Sequence, residues 1–187
     1  MRALTFAAAL ALVLTLVGAS SKAASDPWAK LRRPLHMPHL ASGAKCPVTA
    51  TSRPSPPYRA TLGRGPAYPL TAWRAGTLSF FYPVRASQGW YPSDWSGQKV
   101  FWIVAPRYRG PLLIRGRQLD GPHLVRFEDG SSPAAEFRAP AGGVTSTGGF
   151  RAVGGYTRLR APGCYALQVD GATFSRVIVF RAVVLPG

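Results

Sequence analysis

Acidic residues are scarce in this chain, 7 against 23 basic ones in 187 positions. That is thin material for a glycosidase, whose paired carboxylates must face one cleft. Histidine is scarcer still, with His36 and His39 near the start and His123 far from both. Since no Gly-x-Ser-x-Gly segment occurs either, there is little from which to build a nucleophile, base and orienting acid. The glycine-rich stretch from Gly142 to Gly155 lacks the spacing of a phosphate loop and its Gly-Lys-Ser/Thr ending, so no nucleotide cofactor is expected. His36-Met-Pro-His39 is the nearest approach to a metal motif. A copper ion on His36, Met37 and His39 is conceivable, but Pro38 opposes the helix that would bring the histidines together. No cysteine or acid cluster completes the set, and a solvated linker explains the segment without a metal. Together these absences favour a non-enzymatic protein without cofactor or metal.

Long apolar runs are also missing beyond the first residues. MRALTFAAALALVLTLVGASSKAAS carries one arginine, an apolar run from Ala3 to Val17 and a small-residue exit. This is the build of a secretory signal peptide, residues 1–24, cleaved near Ala23 or Ala24, and an uncleaved signal anchor is the competing reading. The mature chain is then expected to be secreted or extracytoplasmic, with no transmembrane span. Loss of Arg2 and Lys22 takes the formal charge from +16 to about +14. A charge of that size favours acidic polymers. A GC-rich genome would give the same excess of arginine, 19 residues against 4 lysines, without any selected ligand. Nucleic acid is not expected as a partner because the chain leaves the cytoplasm. Cys46 and Cys164 are the only cysteines. In an exported chain they read as one disulfide, with two free thiols as the alternative.

What is present is mostly strand-like. Residues 25–57 are rich in proline, serine and basic side chains without apolar period, an extended arm or linker that the disulfide would fasten to the rest. From residue 58 to 187 short β-prone runs alternate with glycine and proline, a single all-β domain. Leu78–Tyr82 is one such run. Lys99–Ala105 is apolar on both faces, as a strand covered on both sides would be. Leu112 and Ile114 alternate with Arg115 and Arg117; Leu124–Phe127 and a short edge at Ala134–Arg138 follow. Residues 139–155 read as a mobile glycine-rich loop. Asp170-Gly171 sits between two β-rich runs and predicts a two-residue hairpin turn, pairing Leu167 with Phe174, Tyr165 with Arg176 and Cys164 with Val177. Cys164 then shares a face with Val177 and Val179, opposite to Leu167.

Two stretches carry candidate binding residues. Around the run from Pro106 to Gly121 lie Arg107, Arg109, Arg115 and Arg117, and alternation turns Arg115 and Arg117 outward together while Leu112 and Ile114 point inward. Two such guanidiniums can clamp an anion, or stand as a solvated face paired with Asp120 or Glu128. In Gly89-Trp-Tyr-Pro-Ser-Asp-Trp95, the aromatics Trp90, Tyr91 and Trp95 lie within a turn-prone, proline-broken loop. They suit stacking on sugars or anchoring a partner, or they cap one end of the core.

Cys46-Pro-Val-Thr49, Arg109-Gly-Pro-Leu-Leu-Ile-Arg-Gly-Arg-Gln-Leu-Asp-Gly121 and Pro162-Gly-Cys-Tyr165 followed by Phe174-Ser-Arg-Val-Ile-Val179 resemble a group of exported bacterial proteins with immunoglobulin-like β domains. Tyr165 stands where that pattern often has tryptophan. The resemblance implies a single immunoglobulin-like β-sandwich behind an N-terminal arm, and an address in the cell envelope. The expected function is a secreted binding or structural module at the cell envelope, its partner an envelope protein or an acidic polymer. An arginine-rich binder of acidic envelope polymers is the alternative, and an exported enzyme comes last. N-terminal sequencing of the exported product should begin at Ala24 or Ser25, and a product retaining Met1 or Arg2 would establish the anchor instead.

Overall fold

The computed structural model describes residues 26–55, 58, 60–70 and 76–185, so the expected signal peptide lies outside the described residues. Among the described residues the fold is all-β apart from short 3-10 turns at Ala29–Leu31 and Thr147–Gly149. In order, the strands are β1 (Thr51–Ser52), β2 (Thr61–Leu62), β3 (Ala67–Leu70), β4 (Thr77–Phe81), β5 (Ser96–Val104) and β6 (Leu112–Gln118). They continue as β7 (Arg126–Phe127), β8 (Phe137–Ala139), β9 (Val144–Thr145), β10 (Arg151–Leu159), β11 (Gly163–Gly171) and β12 (Phe174–Leu185).

Two five-stranded sheets face each other. The first runs β3-β5-β10-β7, with β9 beside the start of β10; the second runs β4-β12-β11-β6-β8, and a small β1-β2 pair stands apart. All pairs are antiparallel except β4 with β12. Strand alternation sends Val100, Trp102 and Val104 of β5 into the main core. There they join Leu112 and Ile114 of β6, Tyr165, Leu167 and Val169 of β11, and Ile178 and Phe180 of β12. A fully buried leucine or isoleucine contributes roughly 1.5–3 kcal/mol by leaving water, and both inner sheet faces are built from such residues.

The arm is not a loose leader to this domain. It lies against the outer face of the second sheet, as the Cys46–Cys164 disulfide requires. Met37 and Leu40 pack with Cys164, Ala166 and Val179, so the cysteine does point into an apolar cluster, a second one beneath the arm. Thr49 takes up the backbone of Val179, its N–H donating to the carbonyl at 3.0 Å and its hydroxyl accepting from the N–H at 2.8 Å. Towards the other end of β11 sits Asp170, 0 % exposed. Its carboxylate accepts from Arg115 at 2.9 Å and from the Gln168 amide at 3.0 Å, with Arg33 of the arm at 3.5 Å. Gln168 in turn accepts from the His36 N–H at 2.8 Å and donates to the Pro34 carbonyl at 3.0 Å.

That buried carboxylate revises the hairpin. Gly171 pairs with Phe174, Leu167 with Ile178, Tyr165 with Phe180 and Cys164 with Arg181, so the turn is Ala172-Thr173 rather than Asp170-Gly171. Asp170 is held inside the ladder by Arg115 and Arg33, which outweighs the local preference of Asp-Gly for a tight turn. Because each partner moves by four residues, an even step, every side chain keeps its expected face.

Two further expectations change. The glycine-rich loop ends at Phe150, and Arg151–Gly155 belong to β10. Glycine is needed there: a Cβ on Gly155 would lie 2.2 Å from the Phe137 ring, which fills that space from the opposite sheet. Along Lys99–Val104 of β5 the outer face is covered at its Ile103 end, by Tyr68 and Phe150, while Phe101 remains 45 % exposed beside exposed Lys99.

Asp170→Asn should lower stability by roughly 3–5 kcal/mol, since it leaves Arg115 and Arg33 without their counter-charge at a dry site. Urea unfolding of the two proteins checks this, and a loss under 1 kcal/mol would show the ion pairs to be dispensable.

Candidate ligand-binding face

The four arginines of the Pro106–Gly121 region do not converge. Arg107 and Arg109 are exposed in the turn between β5 and β6, whereas Arg115 and Arg117 share the arm-facing side of β6. Arg115 is committed there, to Asp170 and to the Arg33 carbonyl at 2.5 Å. Its partner is neither Asp120, which accepts from the Cys164 N–H at 2.9 and 3.0 Å, nor Glu128. Of the two on β6, Arg117 alone stays exposed. The arm covers one half of what alternation had placed on an open face.

The aromatic loop, by contrast, gathers partners. A turn closed by the Ser93 N–H on the Trp90 carbonyl at 2.9 Å, with Pro92 inside it, keeps residues 87–95 out of the ladder, and the loop folds back over β5 and β10. Tyr91 is 58 % exposed; Trp90 and Trp95 are half-buried. The Trp90 ring lies over Gly97, where a Cβ would be 2.5 Å from it, and meets Tyr156 edge-on at 4.9 Å. Arg158 places its guanidinium carbon 4.3 Å from the Trp90 centroid. Arg126 and Arg160 approach the Trp95 ring at 5.7 and 5.3 Å, and Lys99 approaches Phe101 at 5.0 Å. Such cation–ring pairs contribute about 0.5–1 kcal/mol each at exposed sites, more where water is excluded.

Strand register explains the grouping. On the side of the first sheet away from the core, β10 offers Gly154, Tyr156 and Arg158 opposite Phe101, Lys99 and Gly97 of β5, and Arg126 of β7 stands opposite Arg158. Tyr156, Arg158, Arg126, Arg160, Lys99 and Phe101 were not singled out from the sequence. The visible signal was a glycine within a strand pattern, Gly97 and Gly154, which marks a close approach by something large.

Arg158 organises this face from beneath. It is 0 % exposed and donates to the Trp95 carbonyl at 2.5 and 2.9 Å, to Glu128 at 3.1 Å and to Gly130 at 2.7 Å. Burial pushes its pKa below the ordinary arginine value, and the charge of Asp129 acts against that shift. Glu128 turns its carbonyl toward Arg158 by adopting φ of +71°, the one non-glycine residue with positive φ among those described. Arg151 plays a similar part at the other end of β10, donating to Gly110 at 2.9 Å, Gly142 at 2.8 Å and Pro140.

A separate cavity of about 450 Å3 is lined by Arg32, Glu128, Glu136 and Arg138. Arg32 and then Arg138 hold the Glu136 carboxyl below its usual range; burial, with Asp129 nearby, raises that of Glu128. Opposed shifts can mark an acid–base pair. Here both Glu136 oxygens accept from guanidiniums, Arg32 at 2.6 and 2.9 Å and Arg138 at 2.9 and 3.0 Å. The carboxylate is occupied in seating the arm. At the proposed copper segment, Met37 packs into the cluster around Cys164 while His36 and His39 are exposed.

Comparison with protein-family models, with curated proteins and with solved structures finds no match. The outer face of the first sheet therefore rests on its own geometry. Arg158→Lys, which keeps the charge but not the fork of donors, should cost about 3 kcal/mol by stranding buried carbonyls. It should also red-shift tryptophan emission as the loop loosens; unchanged emission and stability would remove Arg158 from this role.

Proposed function

We propose that this chain is an exported, non-enzymatic binding module of the cell envelope, built as an immunoglobulin-like sandwich, with the Trp90–Trp95 loop and the sheet face beneath it as its contact surface. A disulfide is at home in an exported protein. Among the described residues no helix is long and apolar enough to cross a membrane. Strand pairing favours the immunoglobulin-like reading: β5 lies between β3 and β10 in one sheet, and β11 lies between β12 and β6 in the other. So does Tyr165, at the start of β11, whose buried hydroxyl donates to the Ala161 carbonyl at 2.8 Å in the manner of a tyrosine corner. Burial raises the pKa of that phenol, as expected of a hydroxyl used only for structure. The disulfide departs from the pattern of antibody domains, joining the arm to the outside of β11 instead of bridging the two sheets.

The observation that carries the functional reading is the exposure of Tyr91 together with half-buried Trp90 and Trp95, three large rings on one loop. Aromatic residues on a surface of this kind supply most of the energy in recognition. The double variant Tyr91→Ala/Trp95→Ala leaves Trp90 over Gly97. It should lose co-sedimentation with purified cell-envelope material while its melting temperature moves by only a few degrees. Undiminished co-sedimentation would sink the proposal, and a large drop in melting temperature would assign the rings to the core.

A further inference from the structure

The face beneath the aromatic loop alternates rings with cations. Phe101 has Lys99 beside it, and Trp95 has Arg126 and Arg160. Side chains two apart on a strand are about 6.8 Å from one another; register puts Lys99 and Phe101 of β5 and Arg126 of β7 on one face with Tyr156 and Arg158 of β10, and Trp95 and Arg160 lie just outside the paired ends of β5 and β10. Resting on the binding-module reading above, we infer that this face binds an acidic polysaccharide, a chain of uronate sugars. The apolar faces of its rings stack on the aromatics, and its carboxylates meet Arg126, Arg160 and Lys99.

Three observations select that chemistry. Arg160 already holds a carboxylate, that of Asp94 at 3.2 Å, with Asp94 57 % and Arg160 37 % exposed at their side chains. An exposed pair of this kind is worth at most about 1 kcal/mol, so a ligand carboxylate can take the place of Asp94 at little cost. The cations are interleaved with the rings, which a purely apolar protein anchor would leave unpaired. Each guanidinium offers a planar fork matched to a carboxylate. Single-stranded nucleic acid shares the need for rings and positive charge, but on the exported-module reading the chain does not meet it.

The oxidised exported protein would be titrated with oligogalacturonate, its methyl ester, a neutral cello-oligosaccharide of matched length and oligothymidylate. Tryptophan emission and calorimetric affinity are read at two salt concentrations. Oligogalacturonate should shift the emission and bind about tenfold or more tightly than the other three, with affinity falling as salt rises. Arg126→Ser/Arg160→Ser should weaken it about tenfold, whereas Arg107→Ser/Arg109→Ser should not. Asp94→Ala, which cannot fail by removing a contact residue, should tighten binding; weaker binding would overturn the inference. Equal affinity for the ester or the neutral oligomer would overturn the acidic class while leaving a binding module. Tightest binding of oligothymidylate would assign the face to nucleic acid. Absence of any emission change would overturn the saccharide reading, with envelope co-sedimentation still deciding the module itself.

Discussion

A single carboxylate without solvent, that of Asp170, sets the terms for much of this structure. An ion taken out of water costs several kcal/mol unless close partners meet it. Its partners come from three separate segments: Arg115 of β6, Gln168 of β11 and Arg33 of the arm. Meeting that demand extends the β11–β12 ladder beyond the expected turn and fixes Asp170 opposite Leu113 on β6. It also ties the arm into the fold, since Arg33 further donates to the Ala172 and Phe174 carbonyls of the hairpin. The disulfide at the other end of β11 then holds the same strap at a second point.

This explains which parts of the architecture were legible. Strands such as β6 could be read from alternation because their two faces have different neighbours, and that pattern is local. Asp170-Gly171 is local too, yet it misled, because the force acting on Asp170 comes from Arg33, far away in sequence. Gly155 looked like loop for the same reason: its meaning lies in the Phe137 ring on the facing sheet. The tryptophan loop was legible through its density of rings. Its cations were not, because Arg126, Arg158 and Arg160 reach it from β7, β10 and the residue after β10 and share no motif. Conversely, the arginines from 107 to 117 are neighbours in sequence, but turn, strand alternation and arm distribute them to different surroundings.

Burial also divides the arginines into two kinds with different work. Arg151 and Arg158 spend their donors on backbone carbonyls, bracketing the loops at the two ends of β10. A lysine has the charge for this but not the planar spread of donors. Those at the rim, Arg126 and Arg160, rest against a ring and keep unspent donors. Overall charge alone therefore says little about ligand capacity here; what counts is which guanidiniums are left over after loops and arm have been secured.

Arg158 is met by carbonyl dipoles, with no carboxylate in direct contact among the described residues. A guanidinium does not lose its proton in any ordinary medium, and dissolved salt screens a charge sealed within protein far less than one at the surface. The sheet face consequently sits above a permanent, poorly screened electrode. Its pull on anions persists at salt concentrations that screen ordinary surface charge, for as long as the loop carrying Trp95 stays closed over it.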